Sequence, residues 1–584
     1  MYLKNHSRPC RHHSQAIREN LYKDTSLGCG NFLSKVLSQN VDKDGWLFSL
    51  ERPFVLPWGV GYQSLSLNDL AGIVANLATW LRIQGVEKDQ IALIYTDEGI
   101  SQFIYSLAVI SIGAIAAPVN WRMKPDITLL YFNKYSFDHL IVDGHENTDT
   151  LLKLIDYSMS ILDARPNGNR AAPIPAGHDW QRTFGADNEL IMLCHSSGTT
   201  GVPKAVEFGH QQFFAGKRER LLHFLELDEE RMLSALPHSH SAGYSYLMTA
   251  VLLGLPTRVV SNITAPSLAD ELTIYRPTIM AGFSQTYAAL SEMKLGEASI
   301  PTLRRCYNTG DTAHEPHIRS LLKAAPDLRF HDGFGASELG MALFCAISSV
   351  AGGVANHRNV GKPVPFADAR ILDECNQPMP PQHIGYLAVR SPTITTGYYK
   401  DSSLTARCQA PEGYWITGDV GYLTEDGAFI HLDRAVDTIS TPLGTAYSLE
   451  LEEAVLRELD VHDVAVVGAP LTPRTSEAVI AWLRLPVEQA KSIGEDILSL
   501  LDKYLFDALH GHVPVAVVNI DPEAPTNTGA TGKILKRLLR DEFWPTLRAW
   551  EQGNEETITY AAARNFYEPC ARSKVGALAT EKFI

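Results

Sequence analysis

The chain has 584 residues, more than one hydrophobic core usually supports, so we expect at least two domains. Hydrophobic residues make up 45% of the sequence and charged residues 20%, a balance that is ordinary for a globular protein and excludes disorder over most of the length. The formal net charge of -15 argues against nucleic acid or an anionic membrane as the main partner, because both are bound through basic faces.

Residues 1–28 form a basic, polar extension that we expect to be frayed; a mitochondrial targeting segment is the alternative. Within it, Cys10, His12 and His13 have the composition of metal ligands but lack a second ligand pair, which favours an unliganded tail. No apolar run approaches the ~18 residues needed to cross a membrane. The cysteines are scattered without C-x-x-C pairs, which predicts reduced thiols in a cytoplasmic protein.

The pattern becomes clearly helical at Leu67, where apolar residues recur on one face as far as Leu81. Ser66 and Asp69 are spaced as a capping box at its start. The elements predicted after it are strands at 91–95, 114–119 and 139–143 and a helix through Phe103, Ile104 and Leu107. Alternating helices and apolar strands predict a mainly parallel sheet covered on both faces, and therefore an α/β fold.

Residues 189–210 join an apolar strand, 191–194, to a short loop that is rich in hydroxyls and glycine and ends in Lys204. Hydroxyls and closely spaced backbone N–H groups suit anionic oxygens, and the loop offers them at Ser196, Ser197, Gly198, Thr199, Thr200 and Gly201. Lys204 adds a point charge after the stiff Pro203. The loop is not that of the P-loop ATPases, because its lysine follows a proline. A flexible surface turn is the alternative for a loop of this composition.

The string SSGTTGVPK resembles the signature loop of the adenylate-forming superfamily, which includes acyl-CoA synthetases, nonribosomal peptide adenylation domains and luciferases. With the motifs described below, the resemblance covers about residues 45–540. It implies a large AMP-binding domain of layered parallel sheets and helices at 29–433, a small mobile α+β domain at 434–545, and a tail at 546–584. It also implies ATP and Mg²⁺ as cofactors.

Residues 236–244, LPHSHSAGY, are similar to the superfamily element that lines the acyl pocket. His240 falls on its His or aromatic position, which makes it a candidate catalytic and pocket residue together with Ser241 and Gly243. A metal pair of His238 and His240 is the alternative, but the neighbourhood shows no further ligands. No Asp or Glu occurs from 234 to 262, where members that activate amino acids place an aspartate against the ammonium group. Because an ammonium buried without a carboxylate is costly, we expect a carboxylic acid without an α-amino group.

Two predicted strand ends follow, and the resemblance places both at the substrate. Residues 279–290 fit a strand that enters a helix, an element that forms a pocket wall in the superfamily, here with Gly282, Phe283 and Ser284. Taken alone, Phe283 would be assigned to the core. Residues 307–312 leave a strand through a tight turn, and relatives run this backbone past the adenine, here with Gly310, Asp311 and Thr312.

Residues 332–338, DGFGASE, are similar to the aromatic-Gly-x-Thr-Glu motif of the superfamily. The candidates for nucleotide and metal binding are Asp332, Gly333, Phe334, Gly335, Ser337 and Glu338. The two glycines are expected to permit a tight turn, and Phe334 to stack on the purine. Ser337 stands where threonine is usual and keeps the hydroxyl, while Glu338 can bind a hard divalent cation through oxygen.

Three further segments extend the resemblance to the domain junction. Residues 385–399 alternate apolar and polar residues as a strand does. Asp419 ends the segment GYWITGD, and relatives use this carboxylate on both ribose hydroxyls; a turn aspartate after Gly418 is the alternative. Arg434 matches an arginine that also reaches the ribose.

Beyond Arg434 the sequence predicts a small α+β domain. Its predicted elements are a helix through Leu449, Ala454, Leu456 and Leu459, strands at 464–467, 478–485 and 515–520, and a helix at 497–509. Residues 531–537, TGKILKR, resemble the Gly-Lys catalytic loop of the superfamily, which makes Lys533 the leading catalytic candidate. A lysine near a helix is otherwise usually a solvated surface residue. After Trp544 no clear periodicity remains.

The resemblance implies an AMP-forming acid–thiol ligase that works in two steps. A substrate carboxylate displaces pyrophosphate from the α-phosphorus of ATP, and a thiol then takes the acyl group from AMP. Lys533 would neutralise the α-phosphate, the loop with Lys204 would hold the β- and γ-phosphates, and Glu338 would hold Mg²⁺. Between the steps the small domain rotates in this superfamily.

The departures from the superfamily pattern fall on the face that meets the thiol. Val436 occupies the hinge position, Ser440 replaces a lysine and Leu451 a proline, so adenylation is better supported than transfer to CoA. Three interpretations remain: an acyl-CoA ligase, an enzyme that loads the phosphopantetheine of an acyl carrier protein, and a noncatalytic nucleotide-binding protein. The third is disfavoured because every phosphate-facing residue type is kept.

Overall fold

A computed structural model of the protein describes residues 3–97, 99–155, 160–167, 171–173, 184, 188–196, 202–261, 264–355, 358–441, 444–458, 463–470, 477–484, 515–520, 535–541 and 560–563. In these ranges no helix is both long and apolar enough to cross a membrane.

The strands in chain order are β1 (Leu3–Lys4), β2 (Trp46–Val55), β3 (Gly61–Ser66), β4 (Ile91–Tyr95), β5 (Ile115–Pro118), β6 (His139–Val142), β7 (Ser160–Asp163), β8 (Leu190–His195), β9 (Ala205–Gly209), β10 (Met232–Ser234), β11 (Thr257–Val259), β12 (Ile279–Gly282), β13 (Arg305–Thr309), β14 (Arg329–Gly335), β15 (Ala342–Ser349), β16 (Asp368–Leu372), β17 (Gly385–Arg390), β18 (Gln409–Ala410), β19 (Tyr414–Leu423), β20 (Phe429–Arg434), β21 (Ile439–Thr441), β22 (Gly444–Ala446), β23 (Asp463–Pro470), β24 (Glu477–Arg484), β25 (Val515–Ile520) and β26 (Tyr560–Ala563). The α-helices are α1 (Gln15–Lys23), α2 (Phe32–Leu37), α3 (Leu67–Ile83), α4 (Ser101–Ser111), α5 (Pro125–Tyr135), α6 (Thr148–Leu154), α7 (Ala215–Arg218), α8 (Arg220–His223), α9 (Ser241–Leu253), α10 (Ala265–Tyr275), α11 (Ser284–Glu292), α12 (Glu315–Ala324), α13 (Ser402–Cys408) and α14 (Ser448–Glu458).

Two mainly parallel sheets form the body of the N-terminal domain. One has nine strands in the order β1-β3-β2-β11-β10-β12-β13-β14-β15, and the other has six in the order β7-β6-β4-β5-β8-β9. Helices pack on these sheets, and α4 is buried over its whole length because its sequence is apolar on nearly every side. The expected α/β fold with layered parallel sheets is confirmed.

The smaller sheets lie later in the chain. β16, β17, β19, β18 and β20 form an antiparallel sheet. In that region β23, β24, β25 and β26 form a four-stranded sheet beside α14. The predicted helix at 497–509 lies outside the described residues.

Strong local signals predicted several elements well. The capping box is present, since the Ser66 hydroxyl accepts from the Asp69 N–H and the Asp69 carboxylate accepts from the Ser66 N–H. The predicted strand at 515–520 has the bounds of β25, and that at 139–143 differs from β6 by one residue.

The N-terminal extension differs from the expected frayed tail over its described residues. β1 pairs with β3, and Leu21 and Leu27 are buried in the core. The His13 ring is bonded to the Leu252 carbonyl, and the Cys10 thiol donates to the Gly254 carbonyl. Basic composition alone suggested a tail, whereas the apolar residues between the basic ones bury against the body of the domain.

Two other predictions need correction. The strand predicted over 385–399 ends at Arg390 because Pro392 has no N–H for a ladder, and the segment beyond it is irregular. The tail after residue 546 contains β26, which pairs with β25. A four-residue strand is too short to give a periodic signal.

Candidate active site

The carboxyl ends of four parallel strands place most of the candidate residues along one edge of the nine-stranded sheet. β10, β12, β13 and β14 run parallel to one another, so the segments that follow them emerge together. His240, Phe283 and Gly310 lie in the first three of these segments. Ligands in open α/β sheets bind at such edges.

The predicted acyl-pocket residues contact one another. The rings of His240 and Phe283 meet edge to face with centroids 5.2 Å apart. His240 caps α9, because its Nδ1 accepts from the N–H of Ala242. A Cβ on Gly243 would lie 2.3 Å from the Pro237 carbonyl oxygen, and one on Gly310 would lie 2.6 Å from the Phe283 ring. The absence of a side chain at these two glycines therefore allows the neighbouring backbone and the Phe283 ring to pack closely in the pocket wall.

The two ends of the signature loop, at Ser196 and Lys204, are hydrogen-bonded to each other. The Ser196 N–H donates to the Lys204 carbonyl at 2.9 Å, and the Lys204 N–H donates to the Ser196 hydroxyl at 3.1 Å. The predicted phosphate ligands between them, Ser197, Gly198, Thr199, Thr200 and Gly201, lie outside the described residues.

Glu338 lies in a short 3-10 turn, Ser337–Leu339, directly after β14. Its Oε1 accepts a hydrogen bond from the Tyr398 hydroxyl at 2.8 Å, and Lys204 Nζ lies 5.3 Å from the centroid of the Tyr398 ring. Among the described residues, Glu338 Oε2 accepts no hydrogen bond. A carboxylate oxygen is the ligand type that a hard cation prefers, and Lys204 contacts the same tyrosine, so the described residues fit Glu338 as the predicted Mg²⁺ ligand.

The glycines of the DGFGASE motif serve a different purpose from the one expected. Gly333 and Gly335 lie within β14, and the tight turn follows them. A Cβ on Gly335 would lie 2.4 Å from the Met341 carbonyl oxygen, and one on Gly333 would lie 3.0 Å from the Asn308 carbonyl oxygen. They are needed for the close approach of neighbouring backbone.

Asp332 is tied to the turn that follows β13. The amide of Asn308 donates to Asp332 Oδ1 at 2.7 Å and to the Asp311 carbonyl at 2.9 Å. Burial raises the pKa of Asp332 to about 6, against the opposing effect of the Asn308 hydrogen bond. The Arg358 guanidinium donates to the Thr312 hydroxyl at 2.8 Å. The turn predicted to pass the adenine is therefore fixed from both sides.

Asp419 is a buried carboxylate held between an imidazole ring and a guanidinium group. His431 Nε2 and Arg434 Nε each lie 3.4 Å from Asp419 Oδ1. Burial acts to raise the pKa of Asp419, but Arg434 and His431 lower it below the ordinary value, so the group stays ionised. Asp419 lies within β19 rather than in a turn, and Gly418 before it has φ +80. An ionised carboxylate here can accept from two vicinal hydroxyls.

The ring of Phe334 belongs to an aromatic cluster beside Asp419. Its centroid lies 5.0 Å from that of His431 and 5.5 Å from that of Phe429. The Arg434 guanidinium interacts electrostatically with both Asp419 and Glu338. The structure thus brings the candidate ribose, adenine and metal residues into one region.

Sequence reasoning missed three members of this region: Asn308, Tyr398 and His431. Asn308 and Tyr398 stand inside motifs that were recognised, but nothing in the local pattern distinguishes their contacts. His431 is one of several polar residues in β20, and only the pairing of β20 with β19 places it against Asp419.

The C-terminal region contacts the N-terminal domain through α14. His314 Nδ1 lies 3.0 Å from Glu453 Oε2, and His314 Nε2 lies 3.9 Å from Glu452 Oε2. Glu452 is also paired with Lys536 at 2.7 Å. Burial acts against the charge of Lys536, but Glu452, Asp433 and Asp437 raise its pKa above the ordinary value. Lys533, three positions earlier in the sequence, lies outside the described residues.

This contact is expected to weaken as the pH rises. Burial acts to lower the pKa of His314, but Glu453 and Glu452 raise it above the ordinary 6.5. The groups that face or surround His314 are Glu452, Glu453, Arg358, Asp332, His317 and Lys536. Because the pKa of His314 is raised when α14 is docked, protonated His314 stabilises the docked state. This stabilisation is fully present below about pH 6.5 and is lost as the pH rises through the raised pKa.

Hydrogen exchange of the α14 amides from about pH 6 to about pH 9 checks this prediction after correction for intrinsic exchange. His314→Gln should cost roughly 1 to 3 kcal/mol of protection at the acidic end and little at the alkaline end. Equal losses at both ends would contradict the prediction. His383→Gln, at an exposed histidine, is the matched control.

Comparison with known proteins identifies a family and several relatives that are similar to this chain. The AMP-binding enzyme family matches residues 50–399. A Streptomyces protein named 3-aminoavenalumate diazotase is 31% identical over 559 residues, which cover 91% of this chain and 98% of that protein. A 2-succinylbenzoate–CoA ligase of Geobacillus kaustophilus is 31% identical over 364 residues, 60% of this chain and 69% of that protein.

Among solved structures, the O-succinylbenzoate coenzyme A synthetase of Bacillus subtilis in complex with ATP and a magnesium ion superposes with a TM-score of 0.69. It is 20% identical, and the match covers 88% of this chain and 99% of that one. At this identity the likeness shows a shared fold.

Proposed function

This chain belongs to the AMP-binding enzyme family, and from that membership we propose that it joins a carboxylic acid to AMP and then passes the acyl group to the thiol of CoA. The observation that supports the proposal is the convergence of Glu338, Lys204, Asp419 and Arg434 on one region. Divalent cation, phosphate and ribose are the three parts of Mg·ATP that these residue types recognise. A thiol on an acyl carrier protein is the alternative acceptor.

The acid we propose has no α-amino group. The pocket wall that His240 and Phe283 form is polar and aromatic, and residues 234–262 contain no carboxylate to neutralise an ammonium. An ammonium there would lose its hydration without a compensating charge.

In the first step, a substrate carboxylate oxygen bonds to the α-phosphorus, and pyrophosphate leaves with the electron pair of the broken P–O bond. Lys533 would neutralise the α-phosphate, and Lys204 with the signature loop would hold the pyrophosphate. Mg²⁺ held by Glu338 would offset negative charge on the phosphates. In the second step, the thiolate attacks the acyl carbon and AMP leaves.

The second step has weaker support in this chain. Leu451, where the superfamily has a proline, is buried in the first turns of α14. A proline there would lose the hydrogen bond that the Leu451 N–H donates to the Tyr447 carbonyl, so this turn suits a residue other than proline. Ser440 is exposed in β21 and has no positive charge to offer a phosphate.

A second candidate function is favoured by the Streptomyces relative, whose name states that it diazotises 3-aminoavenalumate. Its similarity covers 91% of this chain, including the face where the thiol motifs have diverged. On this hypothesis the activated acid is nitrite, whose oxygen displaces pyrophosphate from ATP to give a mixed anhydride of nitrous acid and AMP. An arylamine nitrogen then attacks the nitroso nitrogen and AMP leaves. The N-nitrosamine takes up a proton and loses water to give the diazonium ion.

Acid-dependent exchange of labelled pyrophosphate into ATP tests the activation step for both candidates. A panel of carboxylic acids and nitrite identifies the acid, and absence of exchange with every member would favour a noncatalytic nucleotide-binding protein. CoA, a phosphopantetheinylated carrier protein and an arylamine then identify the acceptor. Thioester formation supports the ligase, whereas an azo dye formed on coupling supports the diazotase.

Val436 offers a test of the alternation between steps. It is partly buried in the turn between β20 and β21, with Asp433 and Asp437 on either side. Val436→Asp adds a third carboxylate and removes apolar burial. We expect this to change the free-energy difference between the two orientations of the small domain by roughly 1 kcal/mol. The ratio of acceptor transfer to pyrophosphate exchange should therefore change about fivefold.

Both half-reactions, measured with the preferred acid, give this ratio. Val436→Thr keeps the shape without the charge and should stay near the wild-type ratio. An unchanged ratio in Val436→Asp would show that this position does not bias the alternation.

A further inference from the structure

The segment from Thr393 to Tyr399 connects the two phosphate-facing motifs. At one end it is bonded to β9, which begins directly after Lys204: the Tyr399 N–H donates to the Ala205 carbonyl at 2.8 Å, and the Glu207 N–H donates to the Gly397 carbonyl at 3.1 Å. At its other end, the Thr395 N–H donates to the Glu338 carbonyl at 2.8 Å. Tyr398 is therefore held between Lys204 and Glu338 by its own backbone.

The Tyr398 side chain contacts both residues with different parts. Its hydroxyl donates to Glu338 Oε1 at 2.8 Å, and its ring lies 5.3 Å from Lys204 Nζ. Only 6% of the residue is exposed, and the ring packs on Trp415 with centroids 5.6 Å apart. Because a carboxylate oxygen can only accept, the Tyr398 hydroxyl is the donor of its hydrogen bond with Glu338.

We propose that Tyr398 is a positioning residue for Mg·ATP, with its hydroxyl orienting Glu338 for the cation and its ring orienting Lys204 for phosphate. This inference rests on the proposed function. The hydroxyl occupies Oε1, so Oε2 would be the oxygen that binds the cation, and the hydrogen bond holds the carboxylate in one rotamer beforehand. The electron-rich face of the ring attracts the ammonium and limits its rotamers.

Two substitutions separate these roles. Tyr398→Phe removes the hydroxyl and keeps the ring, while Tyr398→Leu removes both. We expect Tyr398→Phe to raise the Mg²⁺ concentration for half-maximal binding of a fluorescent ATP analogue by about 10- to 100-fold, the usual loss for an outer-shell partner. With EDTA present, Tyr398→Phe should bind the analogue like wild type, and Tyr398→Leu should bind it more weakly because Lys204 is no longer held.

Tyr399→Phe is the matched control, because Tyr399 packs toward Tyr135 on the other side of the segment and should leave both titrations unchanged. In a Glu338→Gln background, Tyr398→Phe should have little further effect. A wild-type Mg²⁺ midpoint in Tyr398→Phe would overturn the role of the hydroxyl, and equal metal-free binding by the two Tyr398 variants would overturn the role of the ring. If Glu338→Gln itself left the Mg²⁺ midpoint unchanged, the proposed metal site would fail instead. Circular dichroism confirms that each variant is folded.

Discussion

Replacing Lys533 with alanine is expected to slow adenylate formation by about 10²- to 10³-fold, the typical loss for a preorganised charge in a transition state. The displacement at phosphorus spreads negative charge over nonbridging oxygens, and Lys533 is the residue proposed to meet it. Pyrophosphate exchange with the preferred acid measures this step. Transfer of the acyl group from a presupplied adenylate should be largely spared. The lysine is proposed to act on the α-phosphate while the adenylate forms, and this step is already complete in a presupplied adenylate.

A lysine on the surface provides the control. Lys362 is 57% exposed and pairs with Asp426 on the surface, so Lys362→Ala should leave both half-reactions near wild type. Equal losses in the two half-reactions of Lys533→Ala would contradict the assignment of Lys533 to the first step. A loss confined to transfer would place the lysine in the second step.

Glu338→Gln should lower pyrophosphate exchange by about 10²-fold at limiting Mg²⁺ and by less when Mg²⁺ is in excess. Glutamine keeps the shape and can still accept from the Tyr398 hydroxyl, but a neutral amide is a poorer ligand for a hard cation. The measurement is a magnesium titration of exchange at fixed ATP.

Glu425 lies exposed in the loop between β19 and β20, so Glu425→Gln is a matched change away from the site. It should reproduce the wild-type titration. If Glu338→Gln did the same, Glu338 would not be a metal ligand.

Much of the fold follows from local signals in the sequence. The helix that begins at Leu67 has both a periodic apolar face and a capping box, and it is present as expected. The apolar strands at Ile91–Tyr95 and Val515–Ile520 are each bounded by polar or turn residues and are also present. Such signals depend on neighbouring positions, which a single sequence displays directly.

The parts that could not be predicted depend on contacts between distant positions. Tyr398 and Glu338 are 60 residues apart in the sequence. Their hydrogen bond forms because both β9 and the turn after β14 are hydrogen-bonded to the backbone of the segment from Thr393 to Tyr399. The Gly333 and Gly335 backbones need space because β15 lies against them, a requirement that the motif itself does not reveal. The burial of the N-terminal extension likewise depends on the partner surface rather than on its basic composition.

The pairing of β26 with β25 bears on how the protein can be shortened. β25 lies between β24 and β26, so both of its sides are hydrogen-bonded. A version of the protein that stops near residue 546 would turn VAVVNI into an unprotected edge, with a row of open backbone groups on an apolar strand. Such edges recruit strands from other molecules, so a cut that removes residues 546–584 would favour self-association and insolubility.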